Sequence, residues 1–143
     1  MFHHHNPHLP QIIVSETEER RLTTLATTSE LLRRGYDVAR TLLAELERAD
    51  VVPDDRLPSH VVRMNSVVEF MVDGRTSPRV ELVFPRNANI GKGKISILTP
   101  IGTALLGLSP GQSMPVLGND GREHELTVLA VYDPPQRATP ADV

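Results

Sequence analysis

The chain has 143 residues, of which 39% are hydrophobic, 23% charged and only 3% aromatic. These values are ordinary for a globular domain whose core is built from Val, Leu and Ile. The net charge of −3 argues against autonomous DNA binding, which requires clustered Lys and Arg. Cysteine is absent, which excludes disulfides and thiolate metal sites. No apolar run reaches the roughly 18–20 residues of a membrane span, so we expect a cytoplasmic protein that does not bind membranes.

The first ten residues contain four histidines and two prolines, and they lack the apolar segment of a signal peptide. Histidine is a good metal ligand, but nothing in this stretch would hold the ligands in a fixed geometry. We therefore interpret residues 1–10 as a flexible tail and predict no metal and no other cofactor.

A helical hairpin is predicted for residues 11–52. Ser15 and Glu18 have the spacing of a capping box, in which each side chain satisfies a backbone amide of the first turn. Apolar residues follow at three- and four-residue spacings until Gly35, which is expected to end the first helix. Asp37 is expected to be the N-cap of the second helix. Because each apolar stripe is narrow, the helices should pack antiparallel on each other, as an extension of the main core.

The pattern then changes to that of strands, which predicts an α+β fold: the hairpin, then an antiparallel sheet with one short helix. Thr99 as N-cap and Pro100 at the first helical position are expected to open that helix. The predicted strands are His60–Met64, Val67–Val72, Val80–Phe84, Lys94–Leu98, Ser113–Leu117 and Arg122–Tyr132. The predicted segments are a flexible tail (1–10), the hairpin (11–52), a linker (53–58), the C-terminal domain (59–136) and a second flexible tail (137–143).

The stretch Lys94–Gly107 reads K-I-S-I-L-T-P-I-G-T-A-L-L-G and continues into Ser109–Gly111, S-P-G. It resembles the C-terminal signature of the Gre transcript-cleavage factors, in which a strand leads through a Ser/Thr-Pro step into a short A-L-L-G helix. Gln112 departs from the Asp that the family commonly has, and Leu98 departs from the acidic residue of some relatives. Val61–Ser66, V-V-R-M-N-S, is similar to the entry of the Rnk-type subgroup.

The resemblance implies a C-terminal domain of the FKBP-like kind, a twisted sheet around a short helix. In Gre factors the Ser/Thr-Pro step belongs to the surface that contacts the rim of the RNA polymerase secondary channel. Carried over, it makes Thr99, Pro100 and Ile101 the polymerase-contact candidates, with helix capping as the alternative role of Thr99 and Pro100. The implied partner is the RNA polymerase core, and we expect a monomer.

Gre factors stimulate transcript cleavage through paired acidic residues at the tip of a long hairpin, which help to hold a Mg²⁺ ion. The corresponding tip here offers Arg33, Arg34 and a single acid, Asp37, on a first helix of at most about 18 residues or 27 Å. We therefore expect a non-catalytic regulator that occupies the channel and competes with longer factors. The subgroup also carries an association with regulation of nucleoside diphosphate kinase.

Two alternatives remain open. The first is a Gre-like transcript cleavage factor that acts through Asp37. The second is an FKBP-like peptidyl-prolyl isomerase, which only the fold suggests. Isomerase pockets of that kind are lined by aromatic side chains, and this chain has three Phe, two Tyr and no Trp.

Overall fold

The computed structural model describes residues 9–31 and 36–133, and they form a mixed α+β fold with a helical N-terminal region and a curled β-sheet. The helices are α1 (Glu16–Leu31), α2 (Tyr36–Arg48) and α3 (Pro100–Leu105). The strands are β1 (Ile13–Ser15), β2 (Asp50–Val52), β3 (Val67–Val72), β4 (Arg75–Thr76), β5 (Val80–Val83), β6 (Lys94–Ser96), β7 (Ser113–Leu117) and β8 (Glu123–Tyr132). None of the helices in these ranges is both long enough and apolar enough to cross a membrane.

Helix α1 begins where the sequence predicted, because Ser15 Oγ accepts the backbone N–H of Glu18 at 3.2 Å. The other half of the predicted capping box, in which the Glu18 carboxylate would accept the backbone N–H of Ser15, is wrong. Ser15 is already paired with β2 as part of β1. The Glu18 carboxylate instead accepts the backbone N–H of Met64, at 3.2 Å from either oxygen. Burial raises the pKa of this carboxyl group above its ordinary value.

Helix α2 packs against α1, and it begins at Tyr36, before the residue that was expected to be its N-cap. Asp37 therefore lies within its first turn and is not the N-cap. A carboxylate in the first turn still interacts favourably with the helix dipole, so the residue suits either position. The predicted stop at Gly35 falls outside the described residues, as do most of the predicted tails, at residues 1–8 and 134–143.

A short parallel pair joins the base of the helical region. Strand β1, before α1, pairs with β2, after α2, in the register Ile13↔Asp50 to Ser15↔Val52. Three-residue strands give too little alternation to be recognised in a sequence. The pairing brings the start of α1 and the end of α2 together. The turn after β2 adds a further contact, since the Asp54 carboxylate accepts hydrogen bonds from the backbone N–H and the hydroxyl of Thr17.

The main sheet has the strand order β6-β5-β3-β8-β7, with β4 paired to β3. Most pairs are antiparallel, but β5 and β6 are parallel, in the register Glu81↔Lys94 to Val83↔Ser96. The prediction of a wholly antiparallel sheet is therefore wrong at this edge. The reason is the connection: residues 84–93 contain two 3₁₀ turns and cross over, so that β6 runs in the same direction as β5.

The predicted strand His60–Met64 is also wrong. Residues 59–66 form turns and irregular chain, although Val61 and Val62 are both buried. The backbone groups of Val62 bond to the end of α3, because Val62 N–H donates to Leu108 O and Val62 O accepts from Gly107 N–H, both at 2.9 Å. Val61 and Val62 are apolar because this irregular segment is buried next to the chain that follows α3, and not because it belongs to the sheet.

Buried residues of the helices and of the sheet belong to one hydrophobic cluster. Leu22 of α1 and Leu42 of α2 lie in the same cluster as Phe70, Leu82 and Leu126 of the sheet. The two regions therefore adjoin, and the expectation that the hairpin is an extension of the main core stays a prediction. Narrow apolar stripes require a partner surface, and here the sheet domain supplies part of it. The predicted division into hairpin, linker and C-terminal domain stays a prediction about independent folding.

Gly107, after α3, lies where three parts of the chain meet. Its carbonyl accepts the N–H of Ile13 at 3.2 Å, and its own N–H donates to Val62 O at 2.9 Å. Its φ of +80° is in the left-handed region, and a Cβ atom would lie 2.7 Å from the Ile12 Cβ. Both the backbone angle and the close approach require glycine.

We predict that Gly107→Ala lowers the free energy of unfolding by about 3 kcal/mol or more, since strain and overpacking add. Gly111→Ala is the matched control: its φ is +90°, but a Cβ atom would have no neighbour within 4 Å. The control should cost about 1 kcal/mol from backbone strain alone. Urea denaturation measures both variants. Equal losses would show that the packing of β1 against Gly107 contributes nothing.

Candidate functional site

Thr99 and Pro100 start helix α3 as the sequence predicted. Thr99 Oγ1 accepts the N–H of Gly102 at 3.0 Å and donates to Ser96 O at 2.7 Å, and Pro100 occupies the first turn. A Cβ atom on Gly102 would lie 2.1 Å from Ser96 O, so the helix can approach β6 only with glycine at this position. Thr99 is thus confirmed as a cap, and its side chain is engaged within the protein.

A groove runs beside this helix start, with a volume of about 430 Å³. We call it the Pro100 groove; its lining includes Pro100, Ile101, Ile90, Leu117 and Lys94. Ile90 is 88% exposed and Leu117 is 63% exposed, which is unusual for large aliphatic side chains. Adjacent exposed apolar side chains around a groove are typical of a surface that binds a partner.

A second groove, of about 330 Å³, shares Pro100 and Leu117 with the first. It is lined by Asp37 and Glu45 of α2 together with Pro100 and Leu117. The structure therefore brings one hairpin-tip candidate, Asp37, to the same groove as one polymerase-contact candidate, Pro100. The other two tip candidates, Arg33 and Arg34, lie outside the described residues.

Two acidic residues, Asp37 and Glu30, flank the end of the hairpin in the sequence. Asp37 is exposed, and its backbone carbonyl accepts the Thr41 hydroxyl at 3.0 Å. Glu30, the acid nearest to it on α1, has a carboxylate oxygen 3.9 Å from Arg40 Nε. Over residues 9–31 and 36–133, no group of three or more His, Asp or Glu side chains is placed to hold a metal ion.

A histidine held between two carboxylates lies at the edge of the Pro100 groove. His124 Nδ1 is 2.6 Å from Asp73 Oδ2, and its Nε2 is 3.0 Å from both oxygens of Asp120. Hydrogen bonds to Asp73 and then to Asp120 raise the pKa of His124. The Glu125 backbone N–H and then His124 lower the pKa of Asp73, whereas His124 is the main cause of the lowered pKa of Asp120.

Sequence reasoning missed this cluster. The two aspartates belong to the turns after β3 and between β7 and β8, where aspartate is common for local reasons alone. Their proximity depends on the pairing of β3 with β8, which brings Val72 opposite Leu126. A turn aspartate and a strand histidine 51 positions apart give no local signal of contact.

The departure at Gln112 has a structural explanation. Its side-chain Oε1 accepts the N–H of Ser109 at 2.9 Å and so closes the turn that follows α3. Its Nε2 donates to Gln11 O at 3.3 Å, which ties the turn to the chain before β1. An aspartate could accept the Ser109 N–H, but it has no donor for the second bond.

Comparison with known proteins agrees with this architecture. The family model for the transcription elongation factor GreA/GreB C-terminus matches residues 57–133, more than half of the chain. A solved structure, the prokaryotic transcription elongation factor GreA/GreB from Nitrosomonas europaea, superposes with a TM-score of 0.67 at 34% identity. The match covers 86% of this chain and 98% of that one. The fold is therefore that of the Gre class of transcription factors.

The N-terminal region defines the subgroup. A family model for the Rnk N-terminus matches residues 10–52. The regulator of nucleoside diphosphate kinase from Escherichia coli K12 is 33% identical over 131 residues, which are 90% of this chain and 94% of that protein. The chain belongs to the GreA/GreB family as a Rnk-type member. GreA of Roseiflexus castenholzii is also 33% identical, over 64% of this chain and 59% of its own length.

The histidine cluster predicts a pH-dependent contribution to stability. Since the folded pKa of His124 is raised, its contribution is complete below the ordinary pKa of about 6.5 and is lost as the pH rises through the folded value. Because the pKa values of Asp73 and Asp120 are lowered, these residues contribute their full stabilisation above about pH 4 and lose it only at lower pH. The melting temperature of His124→Asn should therefore fall furthest below wild type near pH 5–6, and the difference should shrink towards pH 9.

The exposed histidine His60 provides the control, because His60→Asn makes the same substitution outside the cluster. Thermal unfolding across the pH range measures both variants. A melting-temperature difference for His124→Asn that stays constant from pH 5 to pH 9 would contradict the proposed coupling to Asp73 and Asp120.

Proposed function

We propose that the chain is a non-catalytic transcription regulator that binds bacterial RNA polymerase at the secondary channel and competes there with Gre cleavage factors. Because the chain belongs to the GreA/GreB family, its function is expected to be related to transcription. The observation that carries the proposal is the Pro100 groove, where the Ser/Thr-Pro step lies beside the exposed side chains of Ile90 and Leu117.

Within the groove, the three contact candidates have different roles. Thr99 uses its hydroxyl as a cap, so we assign it to positioning. Pro100 is exposed and contributes to both grooves, whereas Ile101 is half-buried and packs partly against the core. The surface offered to the polymerase is then Pro100 with Ile90 and Leu117. An apolar protein patch suits this surface, because apolar area removed from water drives association.

Reach and charge both support a regulator without cleavage activity. The 16 residues of α1 span about 24 Å, and the base of the helices shares its core with the sheet. A hairpin of this length suits the channel mouth better than a distant catalytic metal. Asp37 is a single acid, and the carboxylate of Glu30 is already close to Arg40. One carboxylate gives a Mg²⁺ ion little charge and poor geometry.

The proposal extends to the fold of each region and to the partners of the chain. We propose an antiparallel helical hairpin and an FKBP-like C-terminal domain, and a monomeric, cytoplasmic protein that does not bind DNA by itself. The curated relative is named a regulator of nucleoside diphosphate kinase. We propose the same regulatory type here, with the RNA polymerase core as the direct partner.

The cleavage-factor alternative retains one favourable observation, the exposed Asp37 in a groove with Pro100. The isomerase alternative is disfavoured by the lining of the Pro100 groove. Its apolar members are aliphatic side chains and a proline, whereas Phe70 is buried and Phe84 lines a separate groove. A prolyl-amide site of that kind requires aromatic walls.

We predict that Pro100→Asp weakens binding to core RNA polymerase by about tenfold or more, because it places a charge at the centre of an apolar contact. An acid is well tolerated in the first turn of a helix, so the domain should stay folded. Pro78→Asp is the matched control, since Pro78 is exposed but lines neither groove. Biolayer interferometry gives the dissociation constants, and equal values for Pro100→Asp and wild type would refute the docking assignment.

We predict that saturating protein does not increase transcript cleavage in backtracked elongation complexes, and that it inhibits cleavage by added GreA. Asp37→Asn should compete as well as wild type, because a competitor that only occupies the channel mouth does not depend on a metal-binding carboxylate. Gel analysis of the labelled transcript measures both effects. Strong cleavage by wild type that disappears in Asp37→Asn would promote the catalytic alternative.

A further inference from the structure

A third groove, of about 620 Å³, lies between α1 and the turn after β5. Arg20 and Arg21 of α1 line one side, and Arg86 lines the other; the apolar part of the lining is Leu25, Phe84 and Pro85. We call it the arginine groove. It shares no lining residue with the Pro100 groove, so it is a separate surface.

The charge of the arginine groove is opposite to that of the whole chain. Three guanidinium groups and no acidic side chain line it, although the chain carries a net charge of −3. Within the ranges described by the structure, Arg86 makes no hydrogen bond and no ion pair, and it is exposed. Arg20 interacts electrostatically with Asp54, because its positive charge is one of the causes that lower the pKa of that carboxyl group. Arg86 can therefore accept an anionic partner without giving up an internal contact.

The third arginine is already fixed in place. The Arg21 guanidinium lies over the Phe84 ring at 4.5 Å from its centroid. This contact holds the guanidinium at the groove and occupies one face of Phe84, the one aromatic side chain of the lining. A nucleic-acid base would have to stack on the other face of this single ring. The apolar side chains of Leu25, Phe84 and Pro85 suit the aliphatic side chains of a peptide instead.

We propose that the arginine groove binds an acidic segment of a protein partner, with carboxylates on Arg20, Arg21 and Arg86 and an aliphatic side chain on Leu25 and Phe84. Charge complementarity supplies the long-range attraction, and the apolar floor supplies the close contact. Arginine is suited to this task because its planar fork matches a carboxylate. The inference does not depend on polymerase binding through the Pro100 groove.

The test is fluorescence anisotropy with the full chain and a labelled peptide composed of glutamate, leucine and serine. We expect saturable binding that weakens with added salt, and a dissociation constant about fivefold higher for Arg86→Ala. Arg75→Ala is the control, because Arg75 is exposed on β4 and outside the groove. Phe84→Leu keeps the apolar floor but frees Arg21, and it should also weaken binding.

A peptide with lysine in place of glutamate and a single-stranded oligothymidine of equal negative charge complete the design. The lysine peptide should not bind. If the oligothymidine binds more tightly than the acidic peptide and Arg86→Ala weakens it, the groove is a nucleic-acid site and the proposal is overturned. Absence of saturable peptide binding, or equal binding by Arg86→Ala and wild type, would overturn it as well.

Discussion

The arrangement of the molecule depends on the close approach of three chain segments at Gly107. The residue follows α3, and its two backbone groups bond to Ile13 at the entry to α1 and to Val62 before the sheet. With a side chain at this position, the strand that precedes α1 would have to move away from α3. The Glu18 carboxylate reinforces the same junction, because it accepts the N–H of Met64 despite the cost of its burial. The helical region is thus joined to the sheet domain by backbone contacts and not only by a linker.

The same junction fixes the helix that carries the candidate docking surface. Helix α3 has only six residues, which is too short to be stable alone. Its end is held at Gly107, and its start is held by the Thr99 cap and by the approach of Gly102 to Ser96 O. Pro100 is therefore presented on a rigid support. A preorganised contact loses little conformational entropy when a partner binds, which favours a docking role for this short helix.

The sequence predicted those features that have a local signature. The Ser15 and Thr99 caps each depend on residues within one helical turn, and the strands of the hairpins alternate clearly enough to be found. The errors have a common cause, since they involve contacts between distant segments. The parallel pairing of β5 with β6 depends on a crossover, and the irregular chain at Val62 is determined by its contact with Gly107. The same distinction applies to the candidate site. A local motif predicts Thr99 and Pro100, whereas the neighbouring His124 cluster can be recognised only once the register of β3 and β8 is known.

The shared core also changes how the hairpin relates to function. A hairpin that extends freely can place its tip far from the domain that docks, and its reach is then set by its length. In this chain the helices contribute Leu22 and Leu42 to the buried cluster of the sheet, and Asp37 lines a groove with Pro100. The residue at the start of α2 and the residue at the start of α3 therefore face the same space. A partner that covers Pro100 would therefore also lie close to Asp37. In the first turn of α2 the Asp37 carboxylate interacts favourably with the helix dipole, which is a role that needs no metal.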